Sequence, residues 1–434
     1  MQIHIRKLVL ALVSVFAITI LVYVNSLSDN LIWDDALFIE RNPFVMNCAN
    51  LKTALNPVYL ARVLPVPMGA RPLVNISILL DTCAGGGDMD MRMTNLILHA
   101  ANAALVLMAA YVLTGALAPA FLAGLLFGLH PAAAEPVAIV TFRSQLLCVF
   151  FYLSALLTGL VYVRHRNPAF LTGSILAFLA AMLSNEAGIT FPLVFALLFL
   201  TVERAGETRK ALILHLSICA ADAVAYLWFR LPRGGYDLPG TAPFGPAGVE
   251  FLYPRVLMPE GPAPVKFELL SKPPWGGIYV DWKLRLFTMA DIAGGYLRDL
   301  LLPIRLSGDY NPPVIRTFAG ALAGFTAAVL AGLAVFASWR KAPLAAFGIL
   351  FIVAALLPVM NIIPIYNIKA DRYLYLPLAG FAMIAAAGSA FAWDMKAGKA
   401  VFVGLILYVI SLGALTAARN PVFRDDFAFF SSVT

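Results

Sequence analysis

The chain is punctuated by apolar runs of about 17 to 23 residues, the length that carries an α-helix across roughly 30 Å of hydrocarbon. They begin near residues 8, 94, 120, 144, 168, 188, 211, 317, 343, 374 and 400. A bilayer interior offers no hydrogen-bond partners to the backbone, so spanning segments are helices or a closed barrel. Runs such as Phe347 to Pro358 lack the alternation of a strand. With 61% hydrophobic and 13% charged residues among 434, the chain carries more apolar surface than a water-soluble fold of this length can bury. The expected fold is an all-α polytopic membrane protein of about eleven transmembrane helices, forming one membrane domain over 1–434.

The net charge of +7 does not point to nucleic acid, because Lys and Arg fall in short clusters between the apolar runs. An N-terminus in the cytoplasm puts Arg6/Lys7, Arg164/Arg166, Arg204/Arg209/Lys210, Arg340/Lys341 and Lys396/Lys399 all inside. The first run, Leu8 to Val24, follows Arg6 and Lys7 and ends without a small-residue cleavage site, which reads as an uncleaved signal-anchor. An odd number of spans then leaves the C-terminus outside. Two long outer loops are expected, 25–92 and 230–316. Within the second, Leu284 to Leu302 is apolar but interrupted by Asp291, Arg298 and Asp299, and is expected to lie on the outer surface as an amphipathic helix. Cys48 and Cys83 share the first loop, where an oxidising compartment could join them.

Ionisable residues gather at the outer ends of the spans. Ser28-Asp29-Asn30-Leu31-Ile32-Trp33-Asp34-Asp35 places two adjacent carboxylates beyond the first helix, able to take a proton or to hold a divalent metal such as Mg or Mn; solvated loop acids or a helix cap are the plain alternative. His130 and Glu135 follow the third run, Arg143 comes shortly after, and Glu186 sits in Ser184-Asn185-Glu186. Ionisable groups at membrane depth are costly and so tend to be functional, although Glu135 paired with Arg143 could simply hold helices in register. His99 reads as a packing residue. Lys369, Asp371, Arg372 and Tyr373 lie between two late spans, and a guanidinium beside interfacial tyrosines suits a lipid phosphate. Arg71 is a further outer cation. No Walker loop, HExxH, CxxC or Gly-x-Ser-x-Gly occurs, so nucleotide-driven transport, zinc proteolysis and serine hydrolysis lack local support.

In order along the chain, Trp33-Asp34-Asp35 through Asn42-Pro43, Arg71-Pro72-Leu73, Asn95-Leu96-Ile97-Leu98-His99, Leu129-His130-Pro131 with Glu135, Ser184-Asn185-Glu186, Leu306-Ser307-Gly308-Asp309-Tyr310 and Ala370-Asp371-Arg372-Tyr373-Leu374-Tyr375-Leu376-Pro377 resemble the membrane portion of the transmembrane and tetratricopeptide-repeat O-mannosyltransferases, of the GT-C class. The resemblance departs at Asn185, where that family usually has Lys, and at the apolar Ala132-Ala133-Ala134. The soluble repeats of that family have no counterpart before Thr434.

The resemblance implies a membrane glycosyltransferase that uses a polyprenyl-phosphate-linked sugar on the periplasmic or lumenal face. Asp34 or Asp35 would be the general base, Asp34 leading and Asp35 orienting it or holding a metal. Arg372 would meet the departing phosphate, with Lys369, Arg143 and Arg71 as further candidates. The acceptor is left open between protein, glycan and lipid. The expected location is a bacterial inner membrane, and a polytopic transporter or lipid flippase is the alternative.

Overall fold

The computed structural model describes residues 2–28, 30–55, 71–203, 208–230, 281–362, 367–393 and 398–433. Among these the chain is helical, with no strand. The helices are α1 (Gln2–Tyr23), α2 (Pro72–Cys83), α3 (Asp88–Thr114), α4 (Leu117–Gly128), α5 (Arg143–His165), α6 (Pro168–Ser184), α7 (Phe191–Leu198), α8 (Arg209–Arg230), α9 (Trp282–Leu301), α10 (Phe318–Ser338), α11 (Pro343–Leu356), α12 (Pro377–Trp393), α13 (Gly398–Arg419) and the short α14 (Asp426–Ser431).

Each of the apolar runs read from the sequence is helical, but their lengths differ. Among the described residues seven helical segments are long and apolar enough to cross a membrane, or eight if the bent pair Leu117–Gly128 and Pro131–Ala138 counts as one span. The remaining runs form the shorter helices Pro168–Ser184, Pro343–Val359 and Pro377–Phe391. The stretch expected as the first outer loop contains a helix of its own, α2, and Cys48 is joined to Cys83 at the end of it, with Cα atoms 5.4 Å apart. In the second loop α9 forms where an amphipathic helix was expected, while 231–280 lie outside the described residues, as do Arg204 and Lys396 of the basic clusters.

Local chemistry sets the breaks. Gly115 ends α3 at φ 68°, a left-handed conformation that costs a glycine little, with its N–H donating to Tyr111 O at 2.8 Å. The polypeptide bends by 48° between Gly128 and Pro131. Pro131 has no N–H to continue the ladder, and His130 Nδ1 accepts the Ala132 N–H at 3.1 Å instead. Ala132, Ala133 and Ala134 are fully buried there, which explains the apolar residues at this point: only small side chains fit inside the break.

The core is built by α3, α4, α5 and α12 around aromatic rings. His99 is buried among Tyr23, Phe127 and Tyr375, with Nδ1 2.9 Å from Tyr375 Oη and Nε2 3.1 Å from Gly128 O, so it is a satisfied packing residue as expected. Helices approach closely where small residues face each other, as membrane helices do. A Cβ on Gly348 would lie 2.6 Å from Gly380 O, and one on Gly324 would collide with the Ala290 carbonyl of α9. Helix α10 turns Leu322, Val329, Leu330, Leu333 and Phe336 outward, an apolar face suited to lipid.

Candidate active site

The polar side chains converge at one end of the bundle, where α1, α4 and α13 end and α5 and α12 begin. Asp35 is fully buried and ties the first loop to the turn before α5. Its carboxylate accepts from Val140 N at 3.0 Å, Thr141 N at 2.7 Å and Thr141 Oγ1 at 2.6 Å. Asp34, one residue earlier, points elsewhere. It is half-buried and makes no hydrogen bond or ion pair among the described residues. Burial pushes Asp34 up to about 6, with the positive charge of Arg372 opposing that shift and the negative charges of Asp35 and Asp309 adding to it. Burial lifts Asp35 to about 6 as well, against the donors of Thr141 and Val140 that favour its ionised form.

Arg372 is clamped by Glu135. Its backbone N–H donates to Glu135 Oε2 at 2.7 Å and its Nη1 to Oε1 at 2.6 Å. Its guanidinium carbon lies 4.3 Å from the Phe142 ring centre, 5.3 Å from Tyr373 and 5.6 Å from Trp33, so aromatic faces hold its plane. The Tyr373 hydroxyl donates to Asn367 O at 3.0 Å. Asp371, next in the chain, takes Arg419 Nη2 at 2.6 Å and the Tyr310 hydroxyl at 2.5 Å. Burial raises Asp371 to about 7; Arg419 pulls it down and Glu135 pushes it further up.

Beside this cluster a cavity of about 790 Å³ opens between α9, α10 and the segment 304–313, a size fit for a small ligand. Its polar lining includes Arg298, Arg305, Asp309, Tyr310 and Lys369. Lys369 Nζ lies 3.1 Å from Asp299 and 4.2 Å from the Tyr310 ring centre. Arg298 shares the same Asp299 at 2.7 Å, half-exposed. Asp309 belongs to the cavity wall, and its negative charge is one of those that raise the Asp34 carboxyl.

The comparisons with known proteins agree with the order of motifs. Protein O-mannosyl-transferase Tmtc1 of Drosophila melanogaster is 25% identical over 96% of this chain. The chain is similar to the protein O-mannosyl-transferases. Tmtc2 of the same fly is 27% identical over 50% of the chain, and human TMTC2 is 28% identical over 40%. The match covers little more than half of fly Tmtc1, 56% of its length, and only 24% and 22% of the other two. No protein-family model matches the chain, and no solved structure matches it.

The structure places the remaining residues that the sequence singled out as follows. Glu135 does not pair with Arg143; it pairs with Arg372, 237 positions away. Arg143 is fully buried and spent on Asp81 at 2.7 Å, Asn95 Oδ1 at 2.7 Å and Met91 O at 2.7 Å, so it has no face for a lipid phosphate. His130 is buried too, its Nε2 3.0 Å from Leu300 O and its Nδ1 committed to the helix break. Arg71, at the start of α2, binds Glu186 at 2.7 Å, and Asn185 caps the turn that carries Glu186 through the Ala187 N–H at 3.0 Å. Asp35 is committed to the Val140 and Thr141 N–H groups, while Asp34 is not; among the described residues no three His, Cys, Asp or Glu side chains converge. Arg419, Tyr310, Asp309, Arg298 and Arg305 were not among the residues singled out as site candidates. Leu306-Ser307-Gly308-Asp309-Tyr310 was already conspicuous as a motif, and its acid and tyrosine were the signal.

Proposed function

We propose that this protein is a membrane glycosyltransferase of the GT-C type that moves a mannose-like sugar from a polyprenyl-phosphate donor to a hydroxyl group of a protein acceptor. The observation that carries the reading is Asp34: a half-buried carboxyl without a bonding partner among the described residues, within the field of the clamped Arg372 guanidinium and of Asp309, an acid of the cavity wall. The names of the relatives, protein O-mannosyl-transferases, suggest the sugar and the acceptor class.

In this reading Asp34 takes the proton from the acceptor hydroxyl as that oxygen attacks the anomeric carbon. The bond from the anomeric carbon to the phosphate oxygen breaks, and the lipid phosphate leaves with the bonding pair. Lys369, Arg298 and Arg305 receive the developing charge in the cavity, where preorganised cations are worth more than in water. Arg372 acts from the Asp34 side, its plane fixed by Glu135 and three rings. Asp35 holds the base-bearing turn in place and does not itself touch substrate. All eleven apolar helices cross the bilayer, the site faces the periplasm or a lumen, and the N-terminus is cytoplasmic in a bacterial inner membrane.

A transporter or lipid flippase is the second reading, favoured by the broken helix at Gly128–Pro131, since transporters place substrates at discontinuous helices. That break, however, is filled by buried alanines and its open donor is capped by His130. The deciding experiment follows label from a radiolabelled polyprenyl-phosphate mannose into protein, in membranes containing wild type, Asp34→Asn or Asp35→Asn at equal expression. Transfer by wild type that Asp34→Asn abolishes supports the enzyme; equal transfer by both would remove Asp34 from the mechanism, and donor movement across the bilayer without transfer would favour the flippase.

A further inference from the structure

We infer that the short helix α14 is a wedge that positions Asp34, with Asp426 and Phe429 as its positioning residues; the inference rests on Asp34 being the base. Trp33, immediately before Asp34, has φ 51°, a left-handed conformation that a bulky residue adopts only where its surroundings over-determine it. Two contacts from α14 do so. Asp426 Oδ1 accepts the Trp33 N–H at 2.8 Å, and the Phe429 ring lies 5.0 Å from the Trp33 ring. Phe429 is fully buried and also fills the space over Gly308, where any Cβ would collide with its ring. Gly308 precedes Asp309, the acid whose charge reaches Asp34 from the cavity wall. One aromatic side chain therefore sits between the turn that carries the base and the turn that carries the cavity acid.

The wedge is itself held. Asp425 Oδ1 accepts the Ala428 N–H at 2.8 Å, and Arg424 O takes the Ser28 hydroxyl at 3.0 Å, so the segment is stitched to the start of the same loop. Neither Asp426 nor Phe429 belongs to a membrane-spanning helix; Asp426 holds the turn that carries Asp34, and Phe429, backed by Phe423 and Phe430, touches both acid-bearing turns. A carboxyl displaced by 1 Å from the attacking oxygen loses rate steeply while the donor still binds.

The test uses the full chain in detergent or membranes, with Asp426→Ala, Asp426→Asn, Phe429→Ala and Phe429→Leu. In sugar transfer, Asp426→Ala is expected to lower kcat per folded molecule by about tenfold or more, with the donor KM within about twofold. Asp426→Asn restores the rate, because its amide oxygen accepts the same N–H, and Phe429→Leu recovers part of what Phe429→Ala loses. A second arm needs no activity: a cysteine placed by Asp34→Cys is titrated with a maleimide, and its labelling rate rises severalfold when Asp426→Ala or Phe429→Ala is added. Wild-type kcat per folded molecule in both alanine variants, or a labelling rate that neither changes, overturns the wedge. A wild type that transfers no sugar defeats the glycosyltransferase reading instead, and the labelling arm still decides whether α14 holds Asp34.

Discussion

Burial sets Asp34 near the middle of the pH range in which a general base works, with Arg372 and Asp309 pulling its titration in opposite directions. A base must be ionised, so transfer is expected to fall as pH drops below about 6 and to level off above it, one limb in the rate profile. Asp309 raises the Asp34 pKa; removing that charge with Asp309→Asn should move the limb to lower pH, and a limb that stays put would dissociate Asp34 from it. Glu135→Gln makes a different prediction. It leaves the buried Arg372 guanidinium without its counter-charge, which costs roughly 3 to 5 kcal/mol when a buried pair loses one partner. Thermal unfolding in detergent should show that loss even in a preparation never assayed for activity. The sequence made the neighbouring acids conspicuous but not their division of labour, because successive residues on a turn point in different directions and only coordinates show that Val140 and Thr141 capture Asp35. Partners such as Arg143 and Asp81, 62 positions apart, or Glu135 and Arg372 are likewise decided by packing between distant helices.

Helices were legible because the hydrocarbon leaves the backbone little choice, and every apolar run became one. Their lengths were not, because breaks depend on single residues: Pro131 and His130 bend one span by 48°, and the Asn185 cap ends α6 after 17 residues. The element that carries most of the first loop's order is α2. Its C-terminal end is bonded through Cys83 to Cys48, Thr82 Oγ1 donates to Val45 O at 3.0 Å, and Arg71 at its start binds Glu186. A bridge between positions 35 apart removes chain entropy from the unfolded state, worth roughly 3 to 4 kcal/mol for a loop of this length. Cys48→Ser or reduction should therefore lower the unfolding temperature and slow migration on a gel run without reductant; identical mobility with and without reductant would show that the bridge does not form in the protein as isolated.

At the scale of the molecule the two ends of the bundle differ in chemistry. α5 starts at Arg143, directly after Phe142, whose ring packs on the Arg372 guanidinium, while Arg164, near the end of the same helix, binds Glu203 at 2.6 Å. Twenty-three helical residues separate those ends by roughly 33 Å, about the thickness of the hydrocarbon. Following the helices from there, Arg209, Lys210, Arg340, Lys341 and Lys399 fall with Arg164 where α8 starts, α10 ends and α13 starts, whereas Asp371 and Arg419 meet where α12 starts and α13 ends. The basic loops, chosen from sequence alone, thus share one end and the site occupies the other; the cavity beside it, made by α9 and α10 folding against each other at Gly294 and Gly324, had no sequence signature. Positive loops stay in the cytoplasm, so single cysteines at the two ends should label from opposite sides. Arg41→Cys, exposed at the site end, should react with an impermeant maleimide added outside intact cells, and Lys341→Cys, exposed at the other, should react only after the membrane is opened. The native Cys148 and Cys219 are buried and leave the background low. Labelling of both positions from outside would break the alternation of spans that places Asp34 opposite the basic loops, and labelling of Lys341→Cys alone would invert the protein and put its site in the cytoplasm, where a donor presented on the outer face could not reach it.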